Sequence, residues 1–529
     1  MRLGIDFGTT HTVAALVDRG NYPVVSYEWG DSVPSLVAVR ASDGALKLGL
    51  DALPVLDDPG WTVVRSIKRL LADAGPLTEI EVGPRSLPLL DLLVAYLERL
   101  REDIVTRSNA GIGRNETLEV AVSVPANASN DQRFLTLEAF RRAGFEVLAL
   151  LNEPSAAGFE YAHRFRSTVT SKREYVLVYD LGGGTFDSSL IHMAGRVNEV
   201  ITTAGVARLG GDDLDEAILE AVLDSVGQPD IDAHTWRRLL DECRRQKEGV
   251  GANTRRLVVD LELLGRAPLV LPMEDVYAAC APLIAKTIEA MDEVMRDPRR
   301  DAEEVGWNEL AGIYVVGGAS SFPLVYRQLR ERFGQHRVRR SPHPFAATAI
   351  GLANFLDDEA GYELSDCLTR HFGVWRESET GRGITFDPIF AKDSRLPRAG
   401  EPSLVATRRY RPAHNLGHYR FVECGRIREG RPDGDVTPWD EIRFAFDPSL
   451  RDATDLAEIE VVRRDGETPE VEEQYRCTSA GIFEVTLSVL EDNGYSRTFR
   501  MAKGNEPPPP TRRRAARAAR QTARAQDRS

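Results

Sequence analysis

A hairpin motif that occurs twice constrains this chain more than any other feature. Leu3-Gly4-Ile5-Asp6-Phe7-Gly8-Thr9-Thr10 recurs 174 residues later as Val178-Tyr179-Asp180-Leu181-Gly182-Gly183-Gly184-Thr185, followed by Phe186-Asp187. Self-similarity over that distance predicts two related lobes. Each copy reads as an apolar strand with one Asp near its end, a turn of glycines and hydroxyls, and a return strand (Thr12 to Val17; Ser188 to His192). Glycine lets backbone N–H groups approach a phosphate with no side chain between, Thr adds a hydroxyl donor, and Asp can hold magnesium directly or through water. One copy alone would be an ordinary Gly-rich β-turn. Two copies facing each other across a cleft would form a phosphate-sized site.

The segments around the repeat alternate helix and strand. Leu89, Leu90, Leu93, Leu97, Leu100 and Ile104 repeat at nearly 3.6 residues and predict a helix from Leu87 to Arg107. A strand from Leu118 to Val124 ends at Pro125; a helix from Asn130 to Ala143 follows, with Phe134, Leu137 and Phe140 on one face, then a strand from Val147 to Leu150. Such alternation predicts α/β lobes with mixed sheets. A third Gly-rich turn, Val315-Val316-Gly317-Gly318-Ala319-Ser320, joins a strand to a helix over 323–333 and would leave free amides at a positive helix end.

Composition narrows the class. The 529 residues, 42% hydrophobic and 28% charged, are enough for two to four domains with sizeable cores. With Asp6 in the first strand and no long uncharged apolar run, neither a signal peptide nor a membrane span is expected, and the localisation expected is cytoplasmic. Cys243, Cys280, Cys367, Cys424 and Cys477 are odd in number and scattered, which predicts ordinary thiols. The net charge of −14 is uneven: the tail from Thr511 carries seven Arg and one Asp, leaving residues 1–510 at about −20. So acidic a body disfavours nucleic acid, except through the basic tail, which is too poor in apolar residues to fold alone.

Seven elements in order over about 350 residues carry a resemblance. They are Gly4-Ile5-Asp6-Phe7-Gly8-Thr9-Thr10, Ser66-Ile67-Lys68-Arg69, Val122-Ser123-Val124-Pro125-Ala126, Asn152-Glu153-Pro154-Ser155-Ala156-Ala157, Asp180 to Asp187, Leu209-Gly210-Gly211-Asp212-Asp213, and Val316-Gly317-Gly318. Together they resemble the nucleotide-binding domain of the 70-kilodalton heat-shock (DnaK-type) chaperones. The resemblance implies a two-lobed, actin-like α/β ATPase domain holding ATP or ADP with Mg2+. It implies that Asp6, Asp180 and Glu153 organise the metal, largely through water, and that Gly8, Thr9, Thr10, Gly182, Gly183, Gly184 and Thr185 surround the phosphates. Gly210, Gly211, Lys247, Gly317 and Gly318 would complete the nucleotide site. Lys68 would face the γ-phosphate and Asp187, with Asp180 as the alternative, would orient the attacking water, a division of labour suited to phosphoryl transfer, where placed charge matters most. Pro125 and Arg133 match the family's proline switch and its partner.

The departures are specific. Where the family carries two adenine-stacking arginines, this chain has Glu248 and Ser321, a loss of about 1–3 kcal/mol, or roughly ten- to a hundredfold in affinity, unless other groups compensate. The stretch from Leu71 to Leu87 is short, so docking of standard exchange factors is not expected. The expected organisation is a nucleotide-binding domain over 1–356, a linker over 357–370 in which Asp357-Asp358-Glu359-Ala360-Gly361-Tyr362 replaces the family's apolar linker, an all-β sandwich over 371–503, and a disordered Pro/Arg-rich tail over 504–529. The sandwich is expected from short alternating stretches at 372–375, 389–391, 419–422, 442–446, 459–461 and 482–490. It resembles the family's peptide-binding module, with a more charged loop at Trp375-Arg376-Glu377-Ser378-Glu379 and no helical lid after Met501. The expected function is a chaperone-like ATPase coupling nucleotide state to extended polypeptide, with a J-domain co-chaperone as a candidate partner. A nucleotide sensor with little hydrolysis is the alternative, and a sugar kinase a distant third.

Overall fold

In the computed structural model the chain is described over residues 1–500, except 76, 207, 298–302, 379–380, 382, 399, 440, 454, 465–467 and 492–494. The basic tail and the segment where a lid would lie fall outside the described residues. The chain divides into two compact units: Met1–Arg370 with Ala391–Gly400, and His371–Phe390 with the chain from Glu401 onward.

The first unit contains two sheets built on one plan. In one, three parallel strands, Glu146–Asn152, Glu119–Val124 and Arg2–Phe7, are extended by the antiparallel partner His11–Leu16 and then Val33–Pro34. In the other, parallel Val338–Arg340, Leu310–Val316 and Tyr175–Leu181 are extended by antiparallel Phe186–Ala194 and Val197–Val206. The two motif copies occupy the same place in the two sheets, as the repeat requires. Glu363–Ser365 adds a parallel edge strand to the second sheet by pairing with Val197–Glu199.

Helices and strands follow the patterning closely. The helix Leu89–Thr106 begins after Pro88 and buries Leu89, Leu90, Leu93, Leu97, Leu100 and Ile104. The helix Asn130–Arg142 starts at a capping box in which the Ser129 hydroxyl accepts from the Gln132 amide while the Gln132 side chain accepts from the Ser129 amide. Helices Glu153–Arg164 and Ala347–Leu356 cross at small residues. A Cβ on Gly351 would lie 1.8 Å from the Ala156 carbonyl oxygen, and one on Gly4 would lie 2.3 Å from that of Ala349. This junction fixes the first strand against Ala347–Leu356 and that helix against Glu153–Arg164, and so fixes where Asp6 and Glu153 sit relative to each other. Not foreseen were a three-stranded sheet of Val37–Arg40, Leu46–Leu48 and Trp61–Val64, and a hairpin of Glu79–Val82 with Arg85–Pro88 inside the short Leu71–Leu87 stretch.

The second unit is two antiparallel sheets. One orders Gly383–Phe390, His371–Ser378, Leu416–Arg428 and Arg431–Pro438, with Ile442–Ala445 also on Leu416–Arg428; the other orders Leu404–Tyr410, Val471–Cys477, Phe483–Val489 and Ser496–Arg500. Their aromatic side chains interleave: Phe372 stacks on Phe421 at 5.7 Å within its own sheet and on Phe483 of the other at 4.4 Å. Two differences from the sequence reading have physical causes. Residues 459–461 follow a short 3-10 turn, Leu456–Glu458, and form no strand. Val471–Cys477 is a strand whose inward row is Val471, Glu473, Tyr475 and Cys477, so a carboxylate stands where alternation would expect an apolar residue. Glu473 is fully buried and is matched there by Arg376 at 2.7 Å and by the Tyr410 and Tyr475 hydroxyls at 2.6 Å each.

All five cysteines are buried and unbridged. No described helix is long and apolar enough to cross a membrane.

Candidate functional site

The two glycine turns of the first unit meet face to face. Gly8 sits so close to the returning strand that a Cβ would lie 2.2 Å from the His11 carbonyl oxygen, and Ser35 fixes the turn by donating to the Gly8 carbonyl at 2.9 Å. Opposite, Gly182 donates to the Thr185 carbonyl at 3.0 Å and closes the second turn. A Cβ on Gly183 would lie 2.5 Å from Thr10 Cγ2, and one on Gly184 would lie 2.7 Å from Thr9 Cγ2. Gly210 presses on the backbone of the same turn, its Cβ direction meeting Gly183 C and Gly184 N at 2.6 Å. The first amides of the helix Gly211–Ser225 donate to it as well, Gly211 to the Gly182 carbonyl at 2.9 Å and Asp212 to that of Gly183 at 2.8 Å. Thr9, Thr10, Gly183, Gly184, Gly210 and Gly211 are therefore one cluster.

Beneath the turns lies a group of carboxylates, Glu153, Asp180 and Asp187 buried and Asp6 half-buried. The antiparallel register sets Asp180 directly opposite Asp187. Asp6 accepts from Ser123 at 2.7 Å, and Glu153, the first residue of its helix, accepts from the buried Lys68 ammonium at 2.5 Å. Burial is the main cause that raises Asp6 to about 6 and Asp187 to about 7, with the charge of Glu153 adding to both and Lys68 opposing. Asp180 is raised well above the usual carboxylate range for the same first reason, then by Glu153, Asp6 and Asp187. The backbone of Ala126 and Asn127, just past Pro125, hydrogen-bonds to Asp187.

From Glu153 the contacts continue through its neighbour. Arg133 donates to the Asn152 side-chain oxygen, and Asn152 Nδ2 donates to both Asp366 oxygens at 3.1 Å. Asp366 directly follows the edge strand Glu363–Ser365.

The third Gly-rich turn reaches the same place. Gly317 adopts φ +85°, and a Cβ there would lie 2.4 Å from Asp180 Oδ1. Lys247, buried in the helix Ala233–Glu248, donates to the Gly211 carbonyl at 2.5 Å and pairs with Asp215 at 2.7 Å. Glu248 is exposed, and Ser321 accepts from Arg340 at 2.8 Å.

The family model described as Hsp70 protein matches residues 95–357. The chain is 34% identical over 427 residues to a chaperone protein HscA homolog of Shewanella putrefaciens, and 31% and 32% identical over 425 and 426 residues to the homologs of Aromatoleum aromaticum and Chromobacterium violaceum. Each alignment covers 75% of this chain and 65% of the relative, so the chain spans about 65% of the length of the curated relatives it matches. The chain belongs to the Hsp70 family.

Among the residues of this Hsp70 chain that the sequence singled out, the fold gathers both turns, Asp6, Lys68, Glu153, Asp180 and Asp187, and brings Gly210, Gly211, Lys247 and Gly317 against them. It also shows partners that sequence reasoning did not assign. Arg69 pairs with Asp213 at 2.7 Å and reaches the Gly184 carbonyl at 3.4 Å; Ser66 donates to Asp212 at 2.9 Å, and Arg65 to Asp241 at 2.9 Å. These contacts join segments 115 to 176 residues apart, and no local pattern announces them. The donor set fits magnesium. Clustered carboxylates raised toward neutrality by burial first and by one another's charge second are relieved by a hard divalent cation with oxygen ligands. Among the described residues no three His, Cys, Asp or Glu side chains converge at direct-ligand distance.

Proposed function

We propose that this Hsp70 chain is an ATP-dependent chaperone-type ATPase, built as an actin-like two-lobed domain followed by a polypeptide-binding β-sandwich. One observation carries the reading: two glycine-threonine turns interlock directly above the buried Lys68, Glu153, Asp180 and Asp187, with the half-buried Asp6 beside them. Main-chain amides and threonine hydroxyls suit phosphate oxygens, and the acids suit a hydrated magnesium ion. The relatives' printed name, chaperone protein, agrees with it.

In this proposal Asp6, Asp180 and Glu153 would hold a hydrated magnesium ion, whose contribution would be to neutralise phosphate charge. Thr9, Thr10, Thr185 and the turn amides orient the phosphates. Lys68, held by Glu153, supplies positive charge where negative charge develops. Asp187, fixed by the Ala126 and Asn127 backbone, orients the attacking water. The path Glu153, Asn152, Arg133, Asp366 ties that site to the chain leading into the second unit, and with Pro125 it would report nucleotide state there. In the sandwich, an extended polypeptide would bind by backbone hydrogen bonds and side-chain pockets. The charge noted at Trp375-Arg376-Glu377 is matched internally: Arg376 pairs with Asp387 and Glu473, and Glu377 with Arg463 at 2.8 Å.

The test measures steady-state ATP hydrolysis with magnesium by the full chain and Thr185→Ala, and fluorescence-polarisation binding of an extended peptide library in ATP and in ADP. Hydrolysis that falls in the variant, with peptide affinity that differs between nucleotides, is expected. Nucleotide binding without hydrolysis in either protein would favour the sensor instead.

A further inference from the structure

The positions where Hsp70 relatives were expected to grip the base carry Glu248 and Ser321, and Ser321 is engaged by Arg340. The fold places a different group beside the third turn. Phe345 lies in the connection between the strand Val338–Arg340 and the helix Ala347–Leu356, and it is 59% exposed. Single exposed apolar residues are common on protein surfaces and by themselves need no explanation. Phe345 differs in where it is and in how firmly it is held.

Its ring lies on Gly318: a Cβ there would be 2.4 Å from Phe345 Cε1 and 2.9 Å from Cδ1. The residue on one side of Gly318 is Gly317, which touches Asp180; the residue on the other is Ala319, whose Cβ is 3.2 Å from the Cβ direction of Gly211, with Lys247 Nζ at 3.3 Å. The ring therefore borders the surface formed by the phosphate-turn cluster and Lys247. The connection that carries it is fixed. Gly317 donates to the Pro344 carbonyl at 2.9 Å, the His343 amide donates to Ser341 Oγ at 3.0 Å, and Ser341 donates to the fully buried Glu160 at 3.1 Å. A rigidly presented aromatic face next to a phosphate site is what a nucleobase stacks on, and stacking reads the π-face of the base without hydrogen bonds to its edge.

We propose that Phe345 is the stacking platform for the purine of the bound nucleotide, standing in for the arginines this chain lacks; the inference rests on the nucleotide reading proposed above. Gly318 is glycine because any side chain would lift the ring from its seat.

Isothermal titration of the full chain with magnesium-ADP and with ribose 5-diphosphate, which has the phosphates and sugar but no base, tests it. Phe345→Ala and Phe345→Leu should weaken ADP by roughly 5- to 100-fold, and Phe345→Trp should retain it. All should bind ribose 5-diphosphate as the unsubstituted chain does. Unchanged ADP affinity in Phe345→Ala, or equal loss of both ligands, overturns the inference while leaving the nucleotide reading standing. Absence of ADP binding by the unsubstituted chain removes that reading and this inference with it.

Discussion

If the two glycine turns interlock as described, adding single methyl groups within one small cluster should have effects that differ in sign. At Gly210 the new Cβ would meet Gly183 C and Gly184 N at 2.6 Å and Gly183 O at 2.7 Å. Carbon atoms pack at about 3.5–4.0 Å, so the second turn must shift by roughly 1 Å, and it is backbone that must move. Overpacking of this kind costs about 1–3 kcal/mol. Gly210→Ala should therefore be destabilised by that amount and bind magnesium-ADP ~5- to 100-fold more weakly. At Gly182 the nearest atom to a Cβ is Thr185 O at 3.5 Å, an ordinary contact, and no left-handed φ stands in the way. Gly182→Ala should be neutral or stabilising by about 0.4–1 kcal/mol, through the lower entropy of its unfolded chain. Gly183→Ala lies between, since its clash is with Thr10 Cγ2 at 2.5 Å and Oγ1 at 2.7 Å, both absent in Thr10→Ala. The Gly183/Thr10 double variant should recover ~0.5–3 kcal/mol relative to the sum of the single variants. Denaturant unfolding of the five proteins, with ADP titration calorimetry, reads all of this. Gly210→Ala and Gly182→Ala behaving alike, or no coupling between Gly183 and Thr10, would refute the facing-turn geometry.

Two further outcomes follow from buried charge. Because Asp6 and Asp187 titrate near 6 and 7 rather than at the ordinary 3.8, the metal-free native state binds more protons than the unfolded state between about pH 4 and 7, so stability falls as pH rises through that window and levels off above it. Magnesium competes with those protons, so the gain in Tm on adding it should be larger at pH 8 than at pH 5.5; equal gains at both would contradict the assignment. In the second unit, Arg376→Ala strands the fully buried Glu473 and should cost about 3–5 kcal/mol by urea unfolding, whereas Arg376→Ala with Glu473→Gln should recover much of it; additive losses would show that the pair is not coupled.

How much of this was legible in the sequence depended on range. The paired turns could be read because each is local: a strand, an Asp and a run of glycines within about ten residues. The long helices were legible because Leu89 to Ile104 and Leu137 with Phe140 keep a helical period. Val471–Cys477 was not, because two of the three groups that match its inward Glu473, Arg376 and Tyr410, come from other strands. Arg431–Pro438, with Pro, Gly and two Asp, lacks a strand's composition and is held as a strand by pairing with Leu416–Arg428. In the site, the motif Ser66-Ile67-Lys68-Arg69 was visible, but the partners of Arg69 and Ser66 lie on a helix more than 140 residues away. Phe345 was silent for the same reason: it resembles a loop aromatic until Gly318 is seen beneath it.

The central claim is that Lys68 serves hydrolysis more than binding. Lys68→Ala removes the buried ammonium paired with Glu153 at 2.5 Å and leaves the turn amides and threonines in place. Single-turnover hydrolysis of magnesium-ATP by the unsubstituted chain and by Lys68→Ala, with bound nucleotide quantified in parallel, tests it most directly. The account predicts a rate lower by about 10²–10³, the loss typical of one preorganised electrostatic group, with bound nucleotide little changed. Rate and binding lost in equal proportion, or a rate unaffected by the substitution, would contradict it.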